Sequence, residues 1–126
     1  MKTYQGGCHC GQVTFEIDTT DKITVLECNC SICSMSGFLH LIVRKEDFRL
    51  TTDIEGLTTY RFNTGTARHI FCPRCGVKSF YIPRSHPSGF SVNLRCLANV
   101  DYANVKFHSF DGKNWEAAIH VLRTEN

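Results

Sequence analysis

The sequence predicts a small, mainly β domain of antiparallel strands with short helical turns, stapled by metal. Three observations lead there. Short segments alternate apolar and polar residues, turn-forming residues separate them, and seven of the eight cysteines fall into three tight clusters. The 126 residues fit one domain of ordinary size, so 1–126 is read as a single unit.

The elements follow in order. VTFEI (13–17) sets Val13, Phe15 and Ile17 against Thr14 and Glu16, the period of a half-buried strand. ITVLEC (23–28) and FLHLIV (38–43) are apolar runs rich in β-forming residues. TTYRF (58–62) and RHIF (68–71) alternate again, and VKSFYI (77–82), GFSVNL (89–94) and VKFHSF (105–110) complete the series. TTDK, NTGT, SHPSG and FDGKN are the turns. RKEDF (44–48) reads as a helical turn. GKNWEAAIHVL (112–122) reads as a short helix, with Trp115, Ala118, Ile119 and Leu122 at helical spacing.

Composition excludes several functions. No apolar run reaches the ~20 residues that cross a bilayer, so no membrane role is expected. The N-terminus lacks an apolar signal core, so the expected compartment is the reducing cytoplasm. There, clustered cysteines mean metal or redox chemistry rather than disulfides. The formal charge is +2 with the thiols counted as neutral. One divalent zinc on four thiolates and another on three bring it to about −1, so the basic balance does not point to nucleic acid. Lys and Arg are also dispersed rather than striped.

The sharpest local signal is FCPRCG (71–76). A Cys-x-x-Cys-Gly knuckle turns both sulfurs toward one metal, and backbone N–H groups can bond the thiolates. CHCG (8–11) offers a second pair, again followed by glycine. Cys8, Cys10, Cys72 and Cys75 together complete a closed tetrahedral site. A dithiol redox pair would open a helix inside a βαβ unit, and FCPRCG lies among strands instead.

CNCSIC (28–33) adds Cys28, Cys30 and Cys33. Three protein ligands with a fourth position open is the arrangement of a catalytic zinc. Spacing leaves alternatives. Cys96 or one of the six histidines would close the site, and Cys8 with Cys10 would pair as well with the triple as with Cys72 and Cys75. Cys96, between Leu94 and Leu97, also reads as a small buried apolar residue.

GGCHCGQVTFE, CNCSICSMSG and RHIFCPRCGVKSFY, in that order, resemble the glutathione-dependent formaldehyde-activating enzyme family, which includes centromere protein V. The stretch from TTYRF to NLRCL, with FDGKNWEAA, is closest to the centromere protein V branch. The likeness runs from Tyr4 to about Ala118. It implies a β-tent fold of antiparallel sheets with two zincs per chain. It implies a structural zinc on Cys8, Cys10, Cys72 and Cys75 and a catalytic zinc on Cys28, Cys30 and Cys33. It also implies a carbon–sulfur lyase-type activity on a small thiol adduct such as the glutathione–formaldehyde adduct, in a monomer or homodimer. The alternative is a zinc-stabilised protein-binding module. No basic extension precedes the first motif, so a chromatin role is not expected.

Other side chains carry a second expectation. His69 and His40 read as hydrogen-bonded buried histidines with a proton-shuttle alternative. Arg84 reads as a loop arginine able to pair with a carboxylate. Ser85 and His86 are adjacent and so are not expected to form a catalytic pair.

Overall fold

The computed structural model describes residues 1–53 and 56–124, with side chains in the last helix described as far as Ile119. Leu122 and His120 therefore lie outside the described side chains. The fold is mainly β. A three-stranded sheet has the order β1 (Lys2–Gly7), β2 (Thr14–Thr19), β5 (Phe48–Leu50). A five-stranded sheet has the order β10 (Val105–Phe110), β3 (Ile23–Cys28), β4 (Leu39–Val43), β9 (Phe90–Asn93), β8 (Phe80–Tyr81). A short hairpin-like pair joins β6 (Thr58–Tyr60) to β7 (His69–Phe71).

All strand pairs are antiparallel except β3 with β10, which run parallel in register, Val105 beside Ile23 through Phe110 beside Cys28. Two helices appear, α1 (Ser31–Ser36) and α2 (Trp115–Thr124). The first was not expected. Its ends explain it: Cys30 sits extended at the N-cap, and Gly37 closes the other end at φ 65° with its N–H on the Cys33 carbonyl. The turn expected at 44–48 is a single 3-10 turn, Lys45–Asp47, and Phe48 already belongs to β5. Among the described residues no helix is long and apolar enough to cross a membrane.

Alternation assigns the faces of the five-stranded sheet. Ile23, Val25, Leu41, Val43, Phe80 and Val92 are buried against the three-stranded sheet, which contributes Phe15 and Ile17. Phe15, Phe48 and Phe90 stack in sequence at 5.2 and 4.2 Å between ring centroids, and Phe80 meets Phe15 edge-on at 5.5 Å. On a pleated strand the intervening residues must face the other way. Leu26, Cys28, His40, Ile42 and Tyr81 do so, and all five line a cavity. One sheet thus has a hydrophobic face that builds the core and a mixed face that builds the site.

Candidate functional site

Cys8, Cys10, Cys72 and Cys75 bring four sulfurs within 4.8 Å of one another. Cys28, Cys30 and Cys33 form a second group by the same measure. Cys8 and Cys10 therefore join the FCPRCG knuckle and not the triple. Cys96 joins neither group. Its thiol is pushed up to about 11, first by burial and then by the charges of Cys8 and Cys75, which places it near the four-cysteine cluster. Among the described residues no histidine completes the triple.

The donor geometry fits a tetrahedral metal. Sulfurs about 2.3 Å from a shared zinc stand about 3.8 Å apart. Cys8 and Cys10 are separated by 3.6 Å, and Cys10 and Cys72 by 3.7 Å. A disulfide would need about 2 Å. The knuckles are built alike. Cys8 Sγ accepts the Val13 N–H at 3.3 Å, and Gly11 turns the chain at φ 79°. In the other, Gly76 turns at φ 76° with its N–H on the Cys72 carbonyl at 2.8 Å. Only glycine takes these angles without strain. The N–H groups of Cys10 and then Val77 bring the Cys75 thiol down to about 6, so a thiolate is favoured before any metal arrives.

The triple is held by different means. Cys28 ends β3, Cys30 caps α1 and Cys33 lies one turn inside it, buried. Asn29, between the first two, ties this loop to the segment after β10. Its Nδ2 donates to Asp111 at 2.9 Å, and its Oδ1 accepts the Lys113 N–H at 3.0 Å. That pins Gly112 against the thiols: a Cβ there would run into Cys28 Sγ and lie 2.9 Å from Cys30 Cβ. The three thiols titrate together. Cys30 is held well below the usual thiol range by hydrogen bonds from Cys28 and Cys33, and Cys33 is held well above it by Cys28, Cys30 and burial. A divalent ion would replace the protons that these thiols hold.

All three cysteines of the triple line a cavity of about 440 Å³, while none of the other four does. That volume suits a small-molecule ligand. His40 and His69 share its wall. His40 Nδ1 lies 3.0 Å from Ser91 Oγ and 3.1 Å from Tyr81 Oη, and its buried Nε2 has no partner among the described residues. Burial holds it down to about 4, so the ring is neutral. His69 is buried as well, with Nδ1 2.6 Å from Lys78 Nζ.

Arg84, at the mouth, lies over the Trp115 ring at 3.7 Å and reaches the exposed Glu116 carboxylate at 2.8 Å. Ser85 Oγ and His86 Nδ1 meet at 2.8 Å, where a turn after Pro83 folds the two side chains together. Sequence reasoning missed Lys78, Asn29 and Gly112. For Lys78 a signal existed: one charge inside the otherwise uncharged run GVKSFYI.

Comparison with known proteins supplies the family. The chain matches the glutathione-dependent formaldehyde-activating enzyme family over residues 3–113. It belongs to that family. A solved structure of a Rhodobacter sphaeroides protein is similar at 33% identity, with a TM-score of 0.72 over 82% of this chain and 99% of that one. The family match begins in β1 and ends beside Gly112, so it takes in both cysteine clusters and every strand of this glutathione-dependent formaldehyde-activating enzyme family member.

Proposed function

We propose that each cluster holds zinc and that the chain is a carbon–sulfur lyase-type enzyme working on a small thiol and its aldehyde adduct, as in the joining of formaldehyde to glutathione. The observation that carries this reading is the contrast between clusters: the three-cysteine group lines the cavity and the four-cysteine group does not. Four thiolates fill a tetrahedral shell, whereas three leave one position. Bound at the triple, zinc supplies that position to a substrate thiol and favours its thiolate. Three thiolates already make such a metal electron-rich, which favours holding a thiol over polarising a carbonyl.

The chain's own residues supply the rest. Gly112 leaves room beside Cys28, and α1 sets Cys33 beneath the cavity floor. Leu26, Ile42 and Phe62 give the cavity apolar walls that exclude water from the reacting atoms. Arg84 and Lys113 place cationic groups at its mouth, which suits a thiol carrying carboxylates. The Glu116 partner of Arg84 is 83% exposed, so that ion pair is weak and a substrate carboxylate can replace it. The working compartment consistent with seven reduced cysteines is the cytoplasm.

The test is zinc per chain by elemental analysis, together with the spectrum of a cobalt-substituted form. Two metals are expected in the wild type, one in Cys30→Ser and two in Cys96→Ser, with cobalt bands that move when glutathione is added. Loss of a metal in Cys96→Ser, or bands blind to every thiol, would mean a closed second site and would favour a zinc-stabilised binding module.

A further inference from the structure

The cavity has polar lining in His40, His69 and Tyr81 that thiol binding leaves unused. Lys78 Nζ lies 2.6 Å from His69 Nδ1. An ammonium has donors and no acceptor, so Nδ1 must accept and the imidazole proton must sit on Nε2. Two rings stack on His69, Tyr81 at 4.9 Å and 13° and Phe62 at 5.4 Å and 24°. The ring lines the cavity. Among the described residues His40 Nε2 is the sealed, unpartnered nitrogen, and His69 Nε2 is not. The edge left to His69 is therefore its Nε2–H, open to the cavity.

Lys78 has no acidic partner among the described ion pairs. Its ammonium rests over the rings of Tyr81 at 4.0 Å and Phe38 at 5.1 Å. The charges acting to keep its proton are those of Cys33 and Cys30. One ammonium thus faces a three-thiolate group that, with a divalent ion, carries one net negative charge.

We propose that Lys78 and His69 form a proton relay serving the oxygen of an aldehyde while a thiolate adds to its carbon. This rests on the thiol reading above. The thiolate sulfur forms the C–S bond, the carbonyl π pair moves to oxygen, and that oxygen takes the Nε2 proton of His69. Nδ1 takes a proton from Lys78 in the same event, so the imidazole stays neutral. Lys78 is left as an amine and the ring as its Nδ1–H tautomer; the pair resets when Nδ1 returns its proton to Lys78 and Nε2 takes up, through solvent, the proton that the thiol gave up on binding. The sum is thiol plus aldehyde giving the hydroxymethyl thioether, with no oxidant or reductant. In reverse the same pair collects the hydroxyl proton as the C–S bond breaks.

The electrostatics agree with this geometry. Burial brings Lys78 down to about 8, so it is protonated at neutral pH and gives up its proton more readily than a free lysine. Burial, and then the Lys78 charge, holds His69 at about 4, so the ring passes a proton on without retaining it. His69 is the catalytic residue, touching the substrate oxygen. Lys78 is a positioning residue that acts through it.

The experiment uses the zinc-loaded full chain with glutathione and formaldehyde, following adduct exchange by NMR. His69→Phe is expected to keep both zincs and the thiol response of the cobalt form, while losing about 100-fold in exchange rate. His69→Gln, which restores an N–H donor but no relay, is expected to recover about tenfold of that. Lys78→Met is expected to slow exchange and to move the acidic limb of the rate profile to higher pH, because the charge that depresses His69 is gone. A long-range ¹H–¹⁵N spectrum is expected to show His69 as the Nε2–H tautomer in the wild type.

A wild type active with moving cobalt bands, matched in rate by His69→Phe or Lys78→Met, would overturn the relay alone. So would an Nδ1–H tautomer. An inactive wild type whose cobalt bands ignore glutathione would overturn the thiol reading and the relay together.

Discussion

Gly112 shows how much one missing side chain decides. Its φ is unremarkable for an L-residue, so the requirement is space: a Cβ would meet Cys28 Sγ and Cys30 Cβ. Gly112→Ala is expected to cost about 1–3 kcal/mol of strain at the triple. The zinc count should fall from two toward one, with the four-cysteine site intact. Elemental analysis of the variant checks this, and two retained zincs with an unchanged cobalt spectrum would contradict it. Residues of this kind were not legible beforehand. FDGKN reads as a turn from its composition, and nothing in the string says that the turn docks on thiols 82 positions earlier through Asn29 and Asp111. Cysteines were legible because few roles compete for clustered thiols. His69 on β7 and Lys78 in the segment before β8, nine positions apart, carry in the string only a buried ring and an odd charge.

At the scale of elements, β4 is the instructive strand. Leu41 and Val43 enter the core, and His40 and Ile42 enter the cavity wall. A strand buried on both faces reads as a continuous apolar run, and FLHLIV shows that run with one histidine in it. The histidine carries a measurable cost. His40 titrates near 4 in the folded chain, against an ordinary value of 6.5. The unfolded chain therefore binds the extra proton first. The stability from keeping His40 neutral is complete above about pH 6.5 and is lost as pH falls toward 4. Between pH 7 and pH 5 the wild type should lose about 2 kcal/mol more than His40→Gln. Denaturant unfolding of both proteins at the two pH values measures it, and equal losses would contradict it.

The strands themselves were legible where alternation was strong, as in Phe15 and Ile17 on β2. Others were not, β1 (Lys2–Gly7) among them. Helix α1 is six residues of Ser, Cys, Ile and Met, with weak propensity, held by its ends and its thiols. The parallel pairing of β10 with β3 depends on which edge is free, which alternation does not encode. Only Phe80 and Tyr81 of the run 77–82 form β8, because the preceding residues leave the FCPRCG knuckle.

For the whole molecule, the four-cysteine cluster ties the chain near β1 and β2 to the turn after β7, joining parts of the fold 62 or more positions apart. A domain of this size benefits from such a tie, since its core alone is modest. The triple hangs on the opposite face of the five-stranded sheet, in contact with a cavity. Coordination is what would distinguish the two sites: one closed by four sulfurs, one left open by three.

X-ray absorption at the zinc edge tests that most directly. With two zincs on seven cysteines, about 3.5 sulfurs per zinc are expected, with one lighter neighbour at the open site alone, rising to about 4 when glutathione is added. A count that starts at four, or one that stays unchanged with thiol, would contradict it.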